Sequence, residues 1–425
     1  MERTDAKLRL NKNLFEMAKK KIEKMEKMEE MEETEKEFEW KLKDTDFLLA
    51  VMLLALNQKN QKDAVYSALN HPDELGAYST KTYAVYNGIL TELKKQGGRN
   101  SSDTINTALA SFITAEIGDL LSHIKPVYTI VGYKNITMQE SVAEAVKNMS
   151  LPTGETELID ACCGTGALFF GLSGDQWAGV VLNDLNPLRT NFLNVLLRHP
   201  FKLIKEILKT DFDIIKKPKE RKELLREIRQ VTNDFKEKRK NYHKVACDVA
   251  VAAQTFLLQC LDKQRIDTEQ TILKRLANFI PAHWKLLKNH ARITQKDCLT
   301  YLENTVPRQK KLVLLDVPYI GTENTCGVPG YDYKKFHTKV AKCLTAANYP
   351  FLYFCRSSAP KSTTPDRKEV AEHIMKMKLG EHFLGKGLYF HKIHLEDTVT
   401  ELIISNRNYC FKNQVLWENF SDDLL

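Results

Sequence analysis

The sequence lacks the long apolar runs of a membrane protein. Its longest strongly apolar run covers ten residues, Phe47–Leu56, whereas a helix needs about 20 to cross a bilayer. The first residues, Met-Glu-Arg-Thr-Asp, are charged and form no apolar signal region. The nine cysteines include no CxxC pair and no set with histidines at zinc spacing. We therefore expect a cytoplasmic protein with reduced thiols, no membrane association and no bound metal.

What the sequence does contain is enough apolar material for a large core. The chain has 425 residues, of which 43% are apolar, so it can hold two or three domains of about 100–200 residues each. Its formal net charge of +8 permits a nucleic-acid partner without requiring one.

Residues 1–120 are expected to form a helical N-terminal domain that carries no catalytic motif. Apolar residues recur at steps of three and four from Phe15 to Met31, which is typical of one helix face. Such a stripe fits a solvated helix that leans on its own protein. It equally fits a short coiled-coil contact with a partner chain or a second copy.

After about residue 121, short β-rich runs alternate with helical patterns, which indicates a mostly parallel sheet with helices on both faces. The last of these runs, Thr398–Ser405, closely follows the β-rich segment Gly387–Ile393. These two segments are therefore expected to pair antiparallel at the sheet edge. Residues 211–290 read as a helical insertion between a first part, 121–210, and a second part, 291–425. The predicted strands are Thr156–Ala161, Ala178–Leu182, Lys311–Asp316, Pro350–Cys355 and Thr398–Ser405.

A glycine-rich turn follows the first predicted strand. Asp160 is followed by Ala-Cys-Cys and then Gly164-Thr165-Gly166, and Asp184 ends the next strand. Glycines let the backbone approach a ligand closely, and an acidic residue after the second strand can bind ribose hydroxyls. Phe169 stands where a dinucleotide site has its third glycine. The segment instead resembles motif I of S-adenosylmethionine-dependent methyltransferases, whose cationic cofactor suits the acidic Asp160.

The strand Lys311–Leu315 ends in Asp316-Val317-Pro318-Tyr319. This tetrapeptide resembles the Asp-Pro-Pro-Tyr motif of amino-methyltransferases that act on adenine. The resemblance implies that Asp316 accepts hydrogen from the amine and that Tyr319 stacks on a base extruded from the duplex. Pro318 stiffens the turn, whereas Val317 replaces the usual first proline and leaves φ less restricted.

The order of these segments resembles that of a Dam-like DNA adenine methyltransferase. The resemblance implies a Rossmann-like methyltransferase sheet with the helical insertion and the N-terminal helical domain added to it. It also implies S-adenosylmethionine as cofactor and DNA as partner. The cofactor residues that it implies, beside the acidic residues and glycines already named, are Lys134, Cys162 and Asp297.

The insertion departs from that family because it lacks the Phe-Asn-Gly-Leu-x-Arg stretch of the recognition region, so the target sequence stays open. Between Lys216 and Lys240 there are 11 Lys/Arg and 5 Asp/Glu. This run is either a solvated helix face or a phosphate-contacting element. The candidate DNA contacts are Lys216, Lys217, Lys219, Arg221 and Lys222.

Two alternatives to a DNA adenine methyltransferase remain at this point. The first is a methyltransferase-fold enzyme that acts on RNA or on a protein amide. The second is a non-catalytic protein that keeps the fold to bind nucleic acid or a partner.

Overall fold

We describe the fold from a computed structural model of the chain. It describes residues 3–11, 14–20, 44–57, 78–95, 105–106, 108–109, 136–149, 151–152, 154–172, 177–239, 242, 244–261, 267–303, 310–317, 333–356, 387–395, 399–409 and 414–418. Within those ranges, none of the helices combines the length and the apolar character that crossing a bilayer requires.

The strands are β1 (Arg3–Asn11), β2 (Tyr78–Tyr86), β3 (Thr156–Asp160), β4 (Trp177–Asn183), β5 (Ala291–Thr294), β6 (Lys311–Leu315), β7 (Phe351–Arg356), β8 (Tyr389–Leu395), β9 (Val399–Ser405) and β10 (Gln414–Glu418). The helices are α1 (Asp44–Asn57), α2 (Asn87–Lys95), α3 (Ile136–Lys147), α4 (Ala167–Gly171), α5 (Pro187–Arg198), α6 (Pro200–Leu208), α7 (Pro218–Arg239), α8 (Val249–Leu261), α9 (Glu269–Leu276), α10 (Phe279–Lys288), α11 (Cys298–Glu303) and α12 (Tyr333–Thr345).

The chain divides into two compact units, and both are discontinuous. The first, which we call the N-terminal unit, contains Met1–Tyr128, Val195–Phe235 and Cys247–Lys288. The second, the sheet unit, contains Thr129–Asn194, Lys236–Ala246 and Asn289–Leu425.

In the N-terminal unit, the inserted helices pack on the N-terminal helices. Helix α9 contacts both α1 and α2, and α6 contacts α8 and α10. The amide of Gln270 donates to Glu92 at 2.8 Å, which joins the insertion to α2. Phe15 and Phe47 meet edge to face with ring centroids 4.9 Å apart, and α1 is buried along most of its length. The inserted segment therefore shares its core with residues from the start of the chain.

We expected the N-terminal region to be helical. It also contains two strands. Strands β1 and β2 form an antiparallel pair with Arg3 opposite Tyr86 and Asn11 opposite Tyr78. In β1, Ala6, Leu8 and Leu10 alternate with polar residues, which is the period of a strand and not of a helix. Of the apolar stripe that begins at Phe15, residues 14–20 are helical, and its remainder lies outside the described residues.

The sheet unit holds an eight-stranded sheet in the order β10-β8-β9-β7-β6-β3-β4-β5. Strands β5, β4, β3, β6 and β7 are mutually parallel. Strand β9 runs antiparallel to both β7 and β8, and β10 runs antiparallel to β8. The parallel α/β sheet and the β8–β9 pair are as predicted. The pair does not form the sheet edge, however, because β10 adds a strand beyond β8.

The central strands of the sheet are buried on both faces, which explains their continuous apolar sequences. In β6, the four residues Leu312, Val313, Leu314 and Leu315 are fully buried. Strand β3 lies between β4 and β6. Their carboxyl ends therefore share one edge of the sheet, and the residues that follow them are neighbours in space.

Candidate active site

The turn after β3 is built on two glycines with left-handed backbone conformations. Gly164 has φ 56° and Gly166 has φ 73°. A Cβ atom at Gly166 would lie 3.0 Å from Cε2 of Phe170, so no larger side chain fits without displacing this ring. The backbone N–H of Gly166 donates to the carbonyl of Cys163 at 2.7 Å, which closes the turn. The glycines thus allow a tight turn directly before α4.

The side chain of Asp184, which follows β4, is hydrogen-bonded to this turn. Its Oδ2 accepts hydrogen bonds from the backbone N–H of Gly164 at 2.9 Å and from Nη1 of Arg189 at 3.0 Å. Its Oδ1 accepts from the N–H of Asn186 at 2.7 Å. A carboxylate offers about four acceptor positions. Three of them are used by described residues, and among these residues about one position is left over.

Asn183 joins three strand ends, and sequence reasoning gave it no role. Its side-chain Nδ2 donates to the carbonyls of Ala161 at 2.9 Å and Lys296 at 3.0 Å. Its Oδ1 accepts from Oγ1 of Thr294 at 2.8 Å and from the N–H of Lys296 at 3.1 Å. The side chain is completely buried. The only signal in the sequence is an amide at the end of an otherwise apolar strand.

Asp160 is a buried carboxylate at the end of β3. Neither of its oxygens has a hydrogen-bond partner within the described part of the chain. Burial raises the pKa of Asp160 well above its usual range, and the carboxylates of Asp316 and Asp184 raise it further. The nearby backbone N–H of Cys162 acts in the opposite direction and is the smallest of these influences. The charges of three carboxylates therefore act on one another at the strand ends, where Arg189 pairs with Asp184, and this arrangement favours a cationic ligand.

Asp316 directly follows β6 and is half-buried, while Val317 is buried in the core. The charge of Asp316 helps to raise the pKa of Asp160, because β6 is the neighbour of β3 in the sheet. Pro318 and Tyr319, which complete the predicted catalytic motif, lie outside the described residues, and so does the predicted cofactor residue Lys134.

Asp297 follows β5 and begins α11. Its Oδ1 accepts from the backbone N–H groups of Leu299 at 2.8 Å and Thr300 at 3.3 Å, so it caps the helix. It lies two residues beyond Gln295, whose Nε2 donates to the carbonyl of Tyr242 at 3.0 Å. This bond ties the end of β5 to the segment that follows α7.

The Cys162 side chain packs against the buried cluster that contains Cys298. A hydrogen bond with Cys298 and burial raise the pKa of the Cys162 thiol well above its usual range, so the thiol is neutral. Any contact of Cys162 with a ligand would therefore be that of an uncharged residue. In the described ranges, no three His, Cys, Asp or Glu side chains are grouped so that they could share a metal ion.

The five cations predicted to contact DNA differ in their surroundings. Lys216 pairs with Asp213 at 2.7 Å and Lys217 with Glu220 at 3.4 Å. Arg221 donates from Nη1 to the carbonyl of Ile215 at 3.0 Å. Lys219 and Lys222 are exposed on the first turns of α7.

The sequence was also compared with protein families. The model of the D12 class N6 adenine-specific DNA methyltransferase family matches residues 143–356, half of the chain. The chain belongs to this family. The matched range of this D12 class methyltransferase begins in α3, ends with β7, and includes both Asp160 and Asp316. No curated protein sequence matches the chain.

The family match confirms the central predictions from the sequence. This D12 class methyltransferase has a Rossmann-like methyltransferase fold and methylates adenine in DNA, as the resemblance to Dam-like enzymes implied. The match gives no support to the RNA, protein or non-catalytic alternatives.

Proposed function

We propose that S-adenosylmethionine is the methyl donor and that it is held at the carboxyl ends of β3, β4 and β5. The observation that carries this proposal is the buried Asp160 carboxylate, which has no hydrogen-bond partner in the described ranges and lies beside Asp316 and Asp184. A cationic sulfonium and ammonium compound compensates such a concentration of negative charge. The donor, when bound, supplies an electrophilic methyl group.

The surrounding residues fit this donor. Gly164 and Gly166 carry no side chain, so a ligand can approach the backbone of this turn closely. The remaining acceptor position of Asp184 suits a ribose hydroxyl. Asp297, on the neighbouring strand end, is proposed to bind the adenine moiety of the donor. Cys162 and Lys134 complete the proposed cofactor residues.

Asp316 is proposed to prepare the target amine. An exocyclic amine on adenine is a poor nucleophile because its lone pair is delocalised into the ring. A carboxylate that accepts one of the amine hydrogens increases the electron density on nitrogen and later removes the proton. The position of Asp316 supports this role, because the residue follows β6, which is the neighbour of β3 in the sheet. Tyr319 is proposed to stack on the extruded base, and Pro318 to fix the turn between them.

This mechanism is tested by expressing the protein and its Asp316→Ala variant in a host without adenine methylation of its own. Digested DNA is analysed for N6-methyladenine by mass spectrometry. We expect methyladenine with the unmodified protein and a loss of at least about 100-fold in the variant, since a general base contributes about 10²–10⁴-fold. The matched control is Glu144→Ala, which removes an exposed carboxylate from α3.

Calorimetric titration with S-adenosylmethionine separates the two parts of the proposal. Asp316→Ala should retain most of the donor binding, because Asp160, Asp184 and the glycine turn remain and Asp316 acts on the target amine. Full activity of Asp316→Ala would overturn its role, and a purified active enzyme that does not bind the donor would overturn the cofactor assignment.

A further inference from the structure

The side chain of Asn183 uses its full hydrogen-bonding capacity on neighbouring segments of the sheet unit. A carboxamide has two N–H donors and one oxygen with two lone pairs. The two donors of Asn183 bond to the backbone carbonyls of Ala161 and Lys296. The two lone pairs accept from the hydroxyl of Thr294 and the backbone N–H of Lys296. Because no donor or acceptor of this side chain is left for a ligand, Asn183 can influence the reaction only through the residues that it holds.

These hydrogen bonds begin where the ladder of the parallel sheet ends. The pairing of β3 with β4 stops at Asp160 opposite Leu182. The pairing of β4 with β5 stops at Asn183 opposite Thr294. Beyond these pairs, the ladder no longer supplies partners to the backbone N–H and C=O groups. Asn183 supplies them with its side chain and with its own carbonyl, which accepts from the N–H of Cys163 at 2.8 Å.

The first segment that Asn183 holds is the start of the glycine turn. Ala161 bonds to the side chain of Asn183, and Cys163 bonds to its carbonyl. The N–H of Ala161 also donates to the carbonyl of Leu314 in β6 at 3.0 Å. The backbone directly before Gly164 is therefore fixed from both neighbouring strands, β4 and β6.

The second segment that Asn183 holds is the loop between β5 and α11. Both backbone groups of Lys296, the N–H and the carbonyl, bond to the amide of Asn183. The next residue is Asp297, which caps α11 and is proposed to bind the adenine moiety of the donor. Strand β4 lies between β3 and β5, so the ends of β3 and β5 are about 10 Å apart, at about 4.8 Å per pair of neighbouring strands. A single buried side chain thus joins segments of two strands that are not neighbours.

We propose that Asn183 is a positioning residue for the methyl donor, and that it holds the glycine turn and Asp297 at a fixed separation. The inference deepens the proposed function and rests on S-adenosylmethionine binding at these strand ends. In that proposal the donor contacts the glycine turn and Asp297 together, so a change in their separation weakens its binding. The amide is needed for this role: an aspartate would turn an acceptor towards two carbonyls, and an alanine would leave both carbonyls without this donor.

The test compares Asn183→Ala with Asn406→Ala, a matched substitution at the opposite edge of the same sheet. Nδ2 of Asn406 donates to the carbonyl of Tyr349 at 2.9 Å, and its Oδ1 accepts from the N–H of Phe351 at 3.4 Å. These bonds lie at the amino end of β7, so the control removes a similar amide from the sheet without changing the site. Thr294→Val and Thr294→Ser form a milder pair, in which the hydroxyl that bonds to Oδ1 of Asn183 is removed or kept.

Three measurements are made on each full-length variant. Calorimetric titration with S-adenosylmethionine gives the Kd for the donor. Methyl transfer to DNA from a host without adenine methylation gives kcat and the KM for the donor. Urea unfolding gives the stability, so that a loss of donor binding can be compared with the loss of stability in the same protein.

We expect the Kd for the donor to rise by about 10–100-fold in Asn183→Ala, since a misplacement of about 1 Å can cost about 100-fold. The KM for the donor should rise by the same factor, with kcat at saturating donor and DNA within about threefold of that of the unmodified protein. Thr294→Val, which loses one hydrogen bond, should bind the donor about 2–10-fold more weakly. Thr294→Ser and Asn406→Ala should keep the Kd within about twofold of that of the unmodified protein.

An unchanged Kd for the donor in Asn183→Ala would overturn the proposal. Equal losses of donor affinity in Asn183→Ala and Asn406→Ala would overturn it as well, because the effect would then be one of general stability. If Asn183→Ala does not fold, the Thr294 pair decides, and equal donor affinities of Thr294→Val and Thr294→Ser contradict the role of Asn183. These results are distinguishable from failure of the cofactor proposal, in which the unmodified protein itself would not bind S-adenosylmethionine.

Discussion

A buried carboxylate without a hydrogen-bond partner is costly to keep in a protein interior. Asp160 is such a group, and the neighbouring charges of Asp316 and Asp184 increase the cost. Its pKa is raised above the ordinary value of 3.8, so the folded state binds its proton more tightly than the unfolded chain does. Stability therefore falls as the pH rises above about 4. The position is retained at the expense of stability, as is common for binding sites.

The Asp160→Asn variant should be more stable than the unmodified protein when no donor is bound. We expect a gain on the order of 1 kcal/mol at pH 7, because the buried negative charge is removed. The gain should shrink as the pH falls towards 4, where the carboxyl group itself becomes neutral. Urea unfolding at a series of pH values measures this difference.

The same variant should bind S-adenosylmethionine at least about tenfold more weakly, since a charge-assisted contact contributes about 1.5–3 kcal/mol. A variant that is both less stable and fully able to bind the donor would contradict our assignment of Asp160. Glu144→Ala again provides the control, because it removes a carboxylate that is exposed.

At the scale of elements, the contact between α3 and α4 depends on a glycine. A Cβ atom at Gly171 would lie 2.6 Å from Cβ of Gln139, a distance that real side chains do not tolerate. Gln139 is itself buried, so it has little room to move. The helix that follows the glycine turn can therefore approach α3 only if residue 171 has no side chain.

Gly171→Ala should lower the free energy of unfolding by about 1–3 kcal/mol, the usual effect of overpacking a core. Gly179→Ala is the matched control, since no atom lies within 4 Å of a Cβ atom built there. The control should be neutral or slightly stabilising, by up to about 1 kcal/mol. Equal shifts of the urea midpoint in both variants would show that the α3–α4 contact is not responsible.

The positions of site residues at the ends of strands could be predicted from the sequence, whereas the hydrogen bonds between the strands could not. The sequence predicts that Asp160 and Asp184 bind the donor and that Asp316 acts on the target amine; all three lie at strand ends of a parallel sheet, and such ends meet at one edge. The bonds of Asn183 could not be predicted, because they require the relative register of β3, β4 and β5.

At the scale of the whole molecule, β10 takes the edge position of the sheet that β8 would otherwise occupy. It pairs with β8 from Gln414 opposite Ile393 to Glu418 opposite Tyr389. An uncovered strand presents free N–H and C=O groups that can pair with another chain. Strand β10 is itself the edge, but it has five residues where β8 has seven, and a shorter edge strand offers fewer groups for pairing with another chain.

Deleting residues 411–425 should cost about 2–4 kcal/mol, given about 1 kcal/mol per lost hydrogen bond, and should promote self-association through β8. Light scattering at several protein concentrations measures the effect. Deleting only residues 419–425 keeps β10 and serves as the control. If neither truncated protein self-associates more than the unmodified protein does, β10 is not needed to keep β8 from pairing with another chain.

The pairing of β3 with β6 also means that the two parts of the site are synthesised at different times. These strands are neighbours in the sheet, although the whole insertion lies between them in the chain. At about 5–20 residues per second, Asp316 leaves the ribosome roughly 8–30 s after Asp160. A nascent chain thus carries the proposed donor-binding turn well before it has the carboxylate for the target amine. A truncated chain that ends inside the insertion would therefore have no methyltransferase activity.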